Sequence, residues 1–156
     1  MNFKLESLNN FFLLTLHSKG YLFKLGGICI LMISYVSLSA QFQSNSKRQN
    51  QRNIDLQFEV DRLNDLAWDL RNVSPDSSMI TARLAYTIAN TIDYSKGIAH
   101  SLSTIGLNWK NMGEFDSSLV YFLQNLAVRE EIGDEILIAS AYNNLGQLYK
   151  EKGNMQ

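Results

Sequence analysis

Few side chains in this sequence could do covalent or acid–base chemistry, and the first to consider is His100. It is the only histidine after residue 40, and the single cysteine, Cys29, precedes that point. Nucleophilic Cys/His catalysis and thiolate zinc sites need these residue types together, so we expect neither. A Ser-His-Asp arrangement would have to be built on His100 alone, and a polar residue on a helix surface is the simpler interpretation. The sequence therefore predicts no catalytic residue and no enzyme.

Carboxylates and glycines are the next candidates, for a metal or a phosphate site. Four acidic residues fall close together, at Glu130, Glu131, Asp134 and Glu135. They lack the ligand spacing of a calcium-binding loop and suit a solvated loop instead. A phosphate-binding loop needs several glycines between a strand and a helix, and only Gly26 and Gly27 are adjacent here. We expect no metal and no cofactor.

The composition restricts the fold class and the partners. The formal net charge is −1 and the Lys and Arg residues are scattered, so no basic patch is available for a nucleic-acid backbone. Hydrophobic residues make up 46% of the chain, which is enough to fill a core. One proline and nine glycines in 156 residues suit helices joined by short turns. The predicted fold class is all-α.

The first forty residues have the pattern of an export signal. Lys4, Lys19 and Lys24 precede the apolar run LGGICILMISYVSLSAQ, which ends in small residues. A positively charged start, an apolar segment and small residues at a cleavage site are the features that the export machinery recognises. Cleavage after Ala40, or one residue earlier after Ser39, would give an exported protein, periplasmic or extracellular.

An uncleaved membrane anchor formed by residues 25–40 is the alternative. As a helix this segment rises about 24 Å, against about 30 Å of hydrocarbon core, which favours cleavage. Residues 41–53 are polar and are expected to be a flexible linker before a repeat domain at 54–156.

Beyond residue 53 the apolar positions follow helical spacing. One face of a first helix collects Leu56, Val60, Leu63, Ala67 and Leu70. The turn NVSPDSS follows, in which Ser74 suits a helix N-cap and Pro75 the first helical position. A second helix is predicted over about 75–92, and its inward residues are Met79, Ala82, Ala85, Tyr86 and Ala89.

An internal repeat is the strongest signal in the chain. The segment ASAYNNLGQLYKEKGN at 139–154 aligns with AHSLSTIGLNWKNMGE at 99–114, an offset of 40 residues. The alignment pairs Leu102 with Tyr142, Ile105 with Leu145, Gly106 with Gly146, Trp109 with Tyr149, and Gly113 with Gly153. A step of 39 residues back from Gly106 reaches Ala67, so the unit occurs three times. A fixed period of this size predicts stacked repeats.

The glycines at the matched positions need a structural reason, because glycine inside a helix costs about 1 kcal/mol relative to alanine. We expect Gly106 and Gly146 to let a second helix approach closely, with Trp109 or Tyr149 filling the space beside it. These aromatic residues, together with Trp68 and Tyr142, are predicted to belong to the core.

The matched residues resemble the tetratricopeptide repeat family, whose units place an aromatic residue or Leu, then Leu-Gly, then Tyr, then a Gly-Asp-like turn. In the second unit the resemblance continues through Phe115, Ser118 and Phe122 to LAVREEIGD at 126–134, which looks like the forty-residue variant found in bacterial signalling proteins. Asn125 departs from the pattern, because a small Ala is usual there. The resemblance implies a helical solenoid with units at about 55–93, 97–133 and 135–156, the last one incomplete.

The resemblance also implies a function. The first helix of each unit in this family lines a groove that binds extended peptides or partner helices. The positions that correspond are His100, Ser103, Thr104, Leu107, Lys110, Asn111, Ser140, Asn143, Asn144, Gln147, Lys150 and Glu151. Asn side chains could pair with peptide amides, and Lys110 and Lys150 could attract a carboxylate. An ordinary solvated face is the alternative interpretation.

The third unit has only one helix, so Leu148 and Tyr149 are expected to be partly exposed. An uncovered apolar end predicts a partner, self-association through that helix, or a longer protein of which this chain is a fragment. The first hypothesis is an exported, non-catalytic scaffold that binds another protein. The alternative is the N-terminal sensor region of a bacterial histidine kinase or transcription regulator, whose output domain is missing from this chain.

Overall fold

The protein is described by a computed structural model that covers residues 22–153, with side chains described from residue 32. Within this range it forms five α-helices and no strand, which confirms the predicted all-α class. The helices are α1 Leu22–Leu70, α2 Pro75–Thr91, α3 Ser95–Asn111, α4 Phe115–Ile132 and α5 Glu135–Gly153.

The chain divides into two units after Gln49, and helix α1 contributes residues to both. Residues 41–53 are helical, whereas the sequence predicts a flexible linker there. No glycine or proline interrupts residues 28–74, so nothing in the local backbone ends the helix. Most of the export signal predicted at 1–40 lies outside the described residues. Among those that are described, no helix combines the length and apolar character needed to cross a membrane.

The second unit stacks its helices in chain order. The last turns of α1 form a hairpin with α2, α3 forms one with α4, and α5 packs on α4. One core cluster joins Ala67, Ala82 and Ile105, and a second joins Phe122, Leu145 and Leu148. The apolar face predicted for the first helix is confirmed at Val60, Leu63 and Ala67, which are all buried.

Burial along the second helix of each hairpin repeats every 40 residues. The buried positions of α2 are Ser78, Ala82, Ala85 and Ala89, and those of α4 are Ser118, Phe122, Asn125 and Arg129. Each α4 position lies 40 residues after its α2 counterpart. The stride inferred from the first helices of the units therefore also governs the second helices.

Buried polar groups join the helices and explain several sequence choices. Asn125, which departs from the small residue expected there, donates from Nδ2 to the carbonyl of Ala99 on α3. Arg129 donates to the carbonyl of Leu137 across the turn between α4 and α5, at 2.6 Å. Inside a packed stack such bonds replace water for groups that would otherwise lose their partners.

The helix ends differ in part from the sequence prediction. Ser74 precedes α2 as expected, but its hydroxyl donates to Ser77 Oγ at 2.8 Å and makes no capping bond to the backbone. The turns after α3 and α4 use Gly113 and Gly133, with φ of 80° and 75°, a conformation that glycine adopts without a Cβ penalty. Asp134 caps α5, because its Oδ1 accepts the backbone N–H of Ile136 at 3.0 Å.

Candidate partner-binding surfaces

The first helices of the three units, α1, α3 and α5, lie side by side. Asn64 of α1 donates from Nδ2 to the carbonyl of Gly97 on α3 at 3.1 Å, and its Oδ1 accepts the hydroxyl of Ser101 at 2.7 Å. On the other side of α3, Asn144 of α5 donates to Ser103 Oγ at 3.2 Å. These bonds bring the predicted groove positions of α3 and α5 together on adjacent helices.

His100 of α3 is half-buried, and it lies beside Trp68 of α1 and near several charged side chains. Its ring centroid is 6.3 Å from that of Trp68, and the guanidinium carbon of Arg71 lies 3.8 Å from the centre of the Trp68 ring. Burial lowers the pKa of His100 below its ordinary value; the carboxylate of Asp65 acts against this and the guanidinium of Arg129 reinforces it. The imidazole is therefore mainly neutral near pH 7. His100 offers a partner a neutral aromatic ring and not a positive charge.

Two of the predicted groove residues are not on the surface. Ser103 and Thr104 are buried, at 5% and 0% exposure, so they cannot contact a partner in this state. Ser103 accepts from Asn144, and Thr104 donates to the carbonyl of His100 in its own helix. Their physical role is to join or tighten packed helices, which the side-chain type alone does not reveal.

The predicted pair of cations is also altered by the fold. Lys110 forms an ion pair with Glu151 of α5, with 2.9 Å between Nζ and Oε1, and the lysine side chain is only 12% exposed. Its charge is therefore already balanced within the chain. Asn144 is half-buried and its amide is bonded to Ser103. We name the other exposed or half-buried predicted positions, apart from the ion pair, the groove face: His100, Leu107, Asn111, Ser140, Asn143, Gln147 and Lys150.

The predicted aromatic core is wrong for three of its four members. Trp109 is partly buried against the first core cluster, as expected. Trp68, Tyr142 and Tyr149 are exposed. The exposure of Tyr149 agrees with the expectation for the end of the array, whereas Leu148, also expected to be partly exposed there, is 1% exposed because it packs in the second core cluster. Six of the predicted repeat-packing residues are buried, namely Ala67, Leu102, Ile105, Gly106, Phe122 and Leu145.

The two matched glycines have different surroundings. A Cβ built on Gly106 would lie 2.6 Å from Cδ1 of Phe122, so the predicted close approach of the second helix is confirmed there. No described residue lies within 4 Å of a Cβ built on Gly146, so the prediction is wrong at that position. Gly153, matched to the turn residue Gly113, is the last residue of α5 and is equally open.

Sequence reasoning missed a second close approach and the polar residues beside it. A Cβ on Gly97 would lie 2.5 Å from Cγ1 of Val60, which places α3 against α1. Asn64 and Asn108 are fully buried and bond between helices. Asparagine is a poor helix former, so its place in the middle of predicted helices was the available signal.

No group of three or more His, Cys, Asp or Glu side chains that could hold a metal occurs in the part of the chain that the structure describes. Among the four clustered carboxylates, Asp134 caps α5, and Glu130 accepts the Tyr142 hydroxyl at 3.4 Å. Glu131 and Glu135 are exposed.

Comparison with known proteins identifies the central helix hairpin. Residues 98–132 match the family model of the tetratricopeptide repeat, from the first turn of α3 to the last residue of α4. No curated protein and no solved structure matches the chain.

Proposed function

We propose that this chain is a non-catalytic scaffold that binds a protein partner on the first helix of each unit. The match of residues 98–132 to the tetratricopeptide repeat model supports this proposal. The observation that carries the proposal is the arrangement of α1, α3 and α5 side by side. A buried bond between α1 and α3 and a partly buried one between α3 and α5 fix the helices relative to one another, while Asn143, Gln147 and Lys150 remain exposed on α5. A preformed surface binds an extended segment without the free-energy cost of ordering its own side chains and helices.

The chemistry of the groove face favours amide recognition over recognition of a carboxylate. Lys110 is paired with Glu151, which leaves Lys150 as the exposed lysine at the matched positions. Asn143 and Gln147 each offer a donor and an acceptor to a peptide backbone. Leu107 is half-buried and packs against the second core cluster, so it offers only part of its apolar surface.

The test is the recovery of partners by the tagged full chain from cells that express it. Replacing Asn143 and Gln147 by Ala should reduce recovery of specific partners, and Arg83→Ala on the exposed side of α2 is the matched control. Unchanged recovery with the groove variants, or equal loss with the control, would refute the groove assignment. An intrinsic hydrolase or transferase activity of the purified chain would refute the non-catalytic assignment.

We also propose that the chain is exported and that its first residues are the signal. Every side chain described from residue 32 to residue 50 is exposed, including the large apolar ones at Met32, Ile33, Tyr35, Val36, Leu38 and Phe42. Apolar side chains that no core covers suit a segment that enters a translocon or a membrane. Mass spectrometry of the N-terminus from expressing cells should find Gln41 first, whereas an intact Met1 would favour the anchored form.

A second candidate function is the sensor region of a longer bacterial signalling protein. The forty-residue stride, seen in burial at Ala82 and Phe122 as well as in the sequence, resembles the repeats of such proteins. Sequencing past the codon for Gln156 separates the two proposals. An open reading frame that continues into further repeats and an output domain favours the sensor, and a stop codon there favours the small exported scaffold.

A further inference from the structure

Residues of α2, α3 and α4 line a cleft that shares no residue with the groove face. Its volume is about 450 Å³, which lies in the range of ligand and peptide pockets. We name it the aromatic cleft, and its lining residues are Tyr86 of α2, Trp109 of α3, and Ser117, Val120, Tyr121 and Gln124 of α4.

The lining of the aromatic cleft is uncharged and holds unused hydrogen-bonding groups. Half of its residues are aromatic, and none carries a charge. The indole N–H of Trp109 is buried and has no hydrogen-bond partner among the described residues. A buried donor without a partner is uncommon, because losing water without a replacement costs about 1–3 kcal/mol. The hydroxyls of Tyr86 and Tyr121 also make no hydrogen bond to another described residue.

An extended proline-rich segment has the chemistry that matches this lining. Its rings pack on aromatic side chains, and its polyproline II conformation is formed before binding, so little entropy is lost. Proline has no backbone N–H, and the carbonyls of such a segment remain free to accept hydrogen bonds. The indole N–H is a donor only, so it needs a partner of this kind.

We propose that the aromatic cleft binds an extended proline-rich segment of another protein. Proline rings pack against Tyr86 and Tyr121, and a carbonyl of the segment accepts the indole N–H of Trp109. Because Nε1 itself is buried, the indole or a neighbouring ring turns as the carbonyl binds. The cleft is a second partner site, and it goes beyond the function proposed for the groove face.

A second copy of this chain does not supply such a segment. The sequence contains one proline, Pro75, and that residue begins helix α2. A highly charged segment is a poor occupant as well, because no residue of the lining offers an opposite charge.

The probe is a fluorescently labelled peptide of ten prolines, and its binding to the full chain is measured by fluorescence anisotropy. Trp109→Phe removes the donor and should weaken binding by about tenfold, which is the effect of losing one hydrogen bond. Val120→Asp places a charge in the uncharged cleft and should weaken binding by at least the same factor. A labelled Gly-Ser peptide of equal length should not bind.

Leu123→Asp is the matched control for Val120→Asp. Val120 and Leu123 lie on the same helix and are 53% and 49% exposed, but only Val120 lines the cleft. The two variants should therefore have similar circular dichroism spectra and melting temperatures, while Leu123→Asp binds the proline peptide like the unchanged chain.

A second readout follows Trp109 directly. The sequence has two tryptophans, Trp68 and Trp109, so in Trp68→Phe all tryptophan emission comes from the cleft. The proline peptide should shift the emission of this variant, because binding changes the surroundings of the indole.

Absence of binding, or equal binding of the Gly-Ser peptide, would overturn the proposal. Binding that Trp109→Phe or Val120→Asp leaves intact, or that Leu123→Asp weakens equally, would also overturn it. The substitutions of Asn143 and Gln147 that test the groove face should leave peptide affinity unchanged, so the two proposals can fail separately.

Discussion

The ring of Phe122 lies directly on the backbone of Gly106, so that a Cβ at that position would come within 2.6 Å of both Cδ1 and Cε1. Real Cβ atoms do not approach other carbons so closely, and Phe122 is fully buried with little room to move. The hairpin of α3 and α4 therefore requires glycine at this point. A Cβ built on the matched Gly146 would meet no described atom beyond its own helix backbone within 4 Å, so packing does not require glycine there.

Alanine substitutions at the two glycines should change stability in opposite directions. Gly106→Ala forces the Phe122 ring or helix α4 to shift, and overpacking of this kind costs about 1–3 kcal/mol, more than helix propensity returns. Gly146→Ala gains helix propensity in open space and should stabilise the chain by about 0.5–1 kcal/mol. Urea unfolding monitored by circular dichroism measures both. Changes of the same sign would contradict the assigned packing.

Alanine at the two repeat-matched serines should destabilise the chain to different degrees. Ser118→Ala removes one bond, to the carbonyl of Gly106, and should cost about 1 kcal/mol. Ser78→Ala removes the bond to the carbonyl of Ala67 and also the acceptor of Asn108 Nδ2, which leaves a buried amide without a partner. The cost should rise to about 2–3 kcal/mol.

Equal losses for the two serine variants would mean that the bond from Asn108 contributes little. The check is urea unfolding of both variants side by side, with Ser77→Ala as the control, since Ser77 is exposed.

Reversing the charge of Lys110 should destabilise the chain, and reversing Glu151 as well should restore it. Lys110→Glu places two carboxylates together where one ion pair with 2.9 Å between its atoms now lies. Because Glu151 is half-exposed, each step should amount to only about 1 kcal/mol or less. A double-mutant cycle by urea unfolding gives the coupling energy. No coupling between the two positions would show that the pair does not form in solution.

The fold followed closely from the sequence because the periodic signals were redundant. The helix pattern at Val60, Leu63 and Ala67, the 40-residue stride and the glycine at 106 all predicted the same stacked hairpins, and the structure has them. The second helix was predicted over about 75–92 and observed as Pro75–Thr91.

The surfaces could be predicted only in part, because a residue type does not reveal its neighbours. Tyr149 and Trp109 share a register position, yet only Trp109 has a second helix beside it. Ser103 was expected on a surface, but Asn144 of the neighbouring helix α5 donates a hydrogen bond to its hydroxyl. Lys110 was expected to be free, but its long side chain reaches Glu151, which lies 41 residues further along the chain.

Stability should fall as the pH decreases through the range where His100 titrates, and His100→Gln should remove this contribution. Burial of the imidazole lowers its pKa in the folded chain; the carboxylates of Asp65 and Asp61 oppose this and the guanidinium of Arg129 assists it. Because the folded pKa lies below the unfolded value of 6.5, the unfolded chain binds the proton more readily. The contribution of His100 is therefore fully present above that value and is lost as the pH falls from there through the folded pKa.

The measurement is urea unfolding of the full chain and of His100→Gln at intervals between about pH 7.5 and pH 5.5, a range in which ordinary carboxylates stay ionised. The difference in unfolding free energy between the two proteins should decrease steadily as the pH falls. His17, which lies outside the described residues, is present in both proteins, so its titration cancels in that difference. A difference that grows on acidification would mean that Asp65 and Asp61 outweigh burial, and that the imidazole is held in its charged form on this surface.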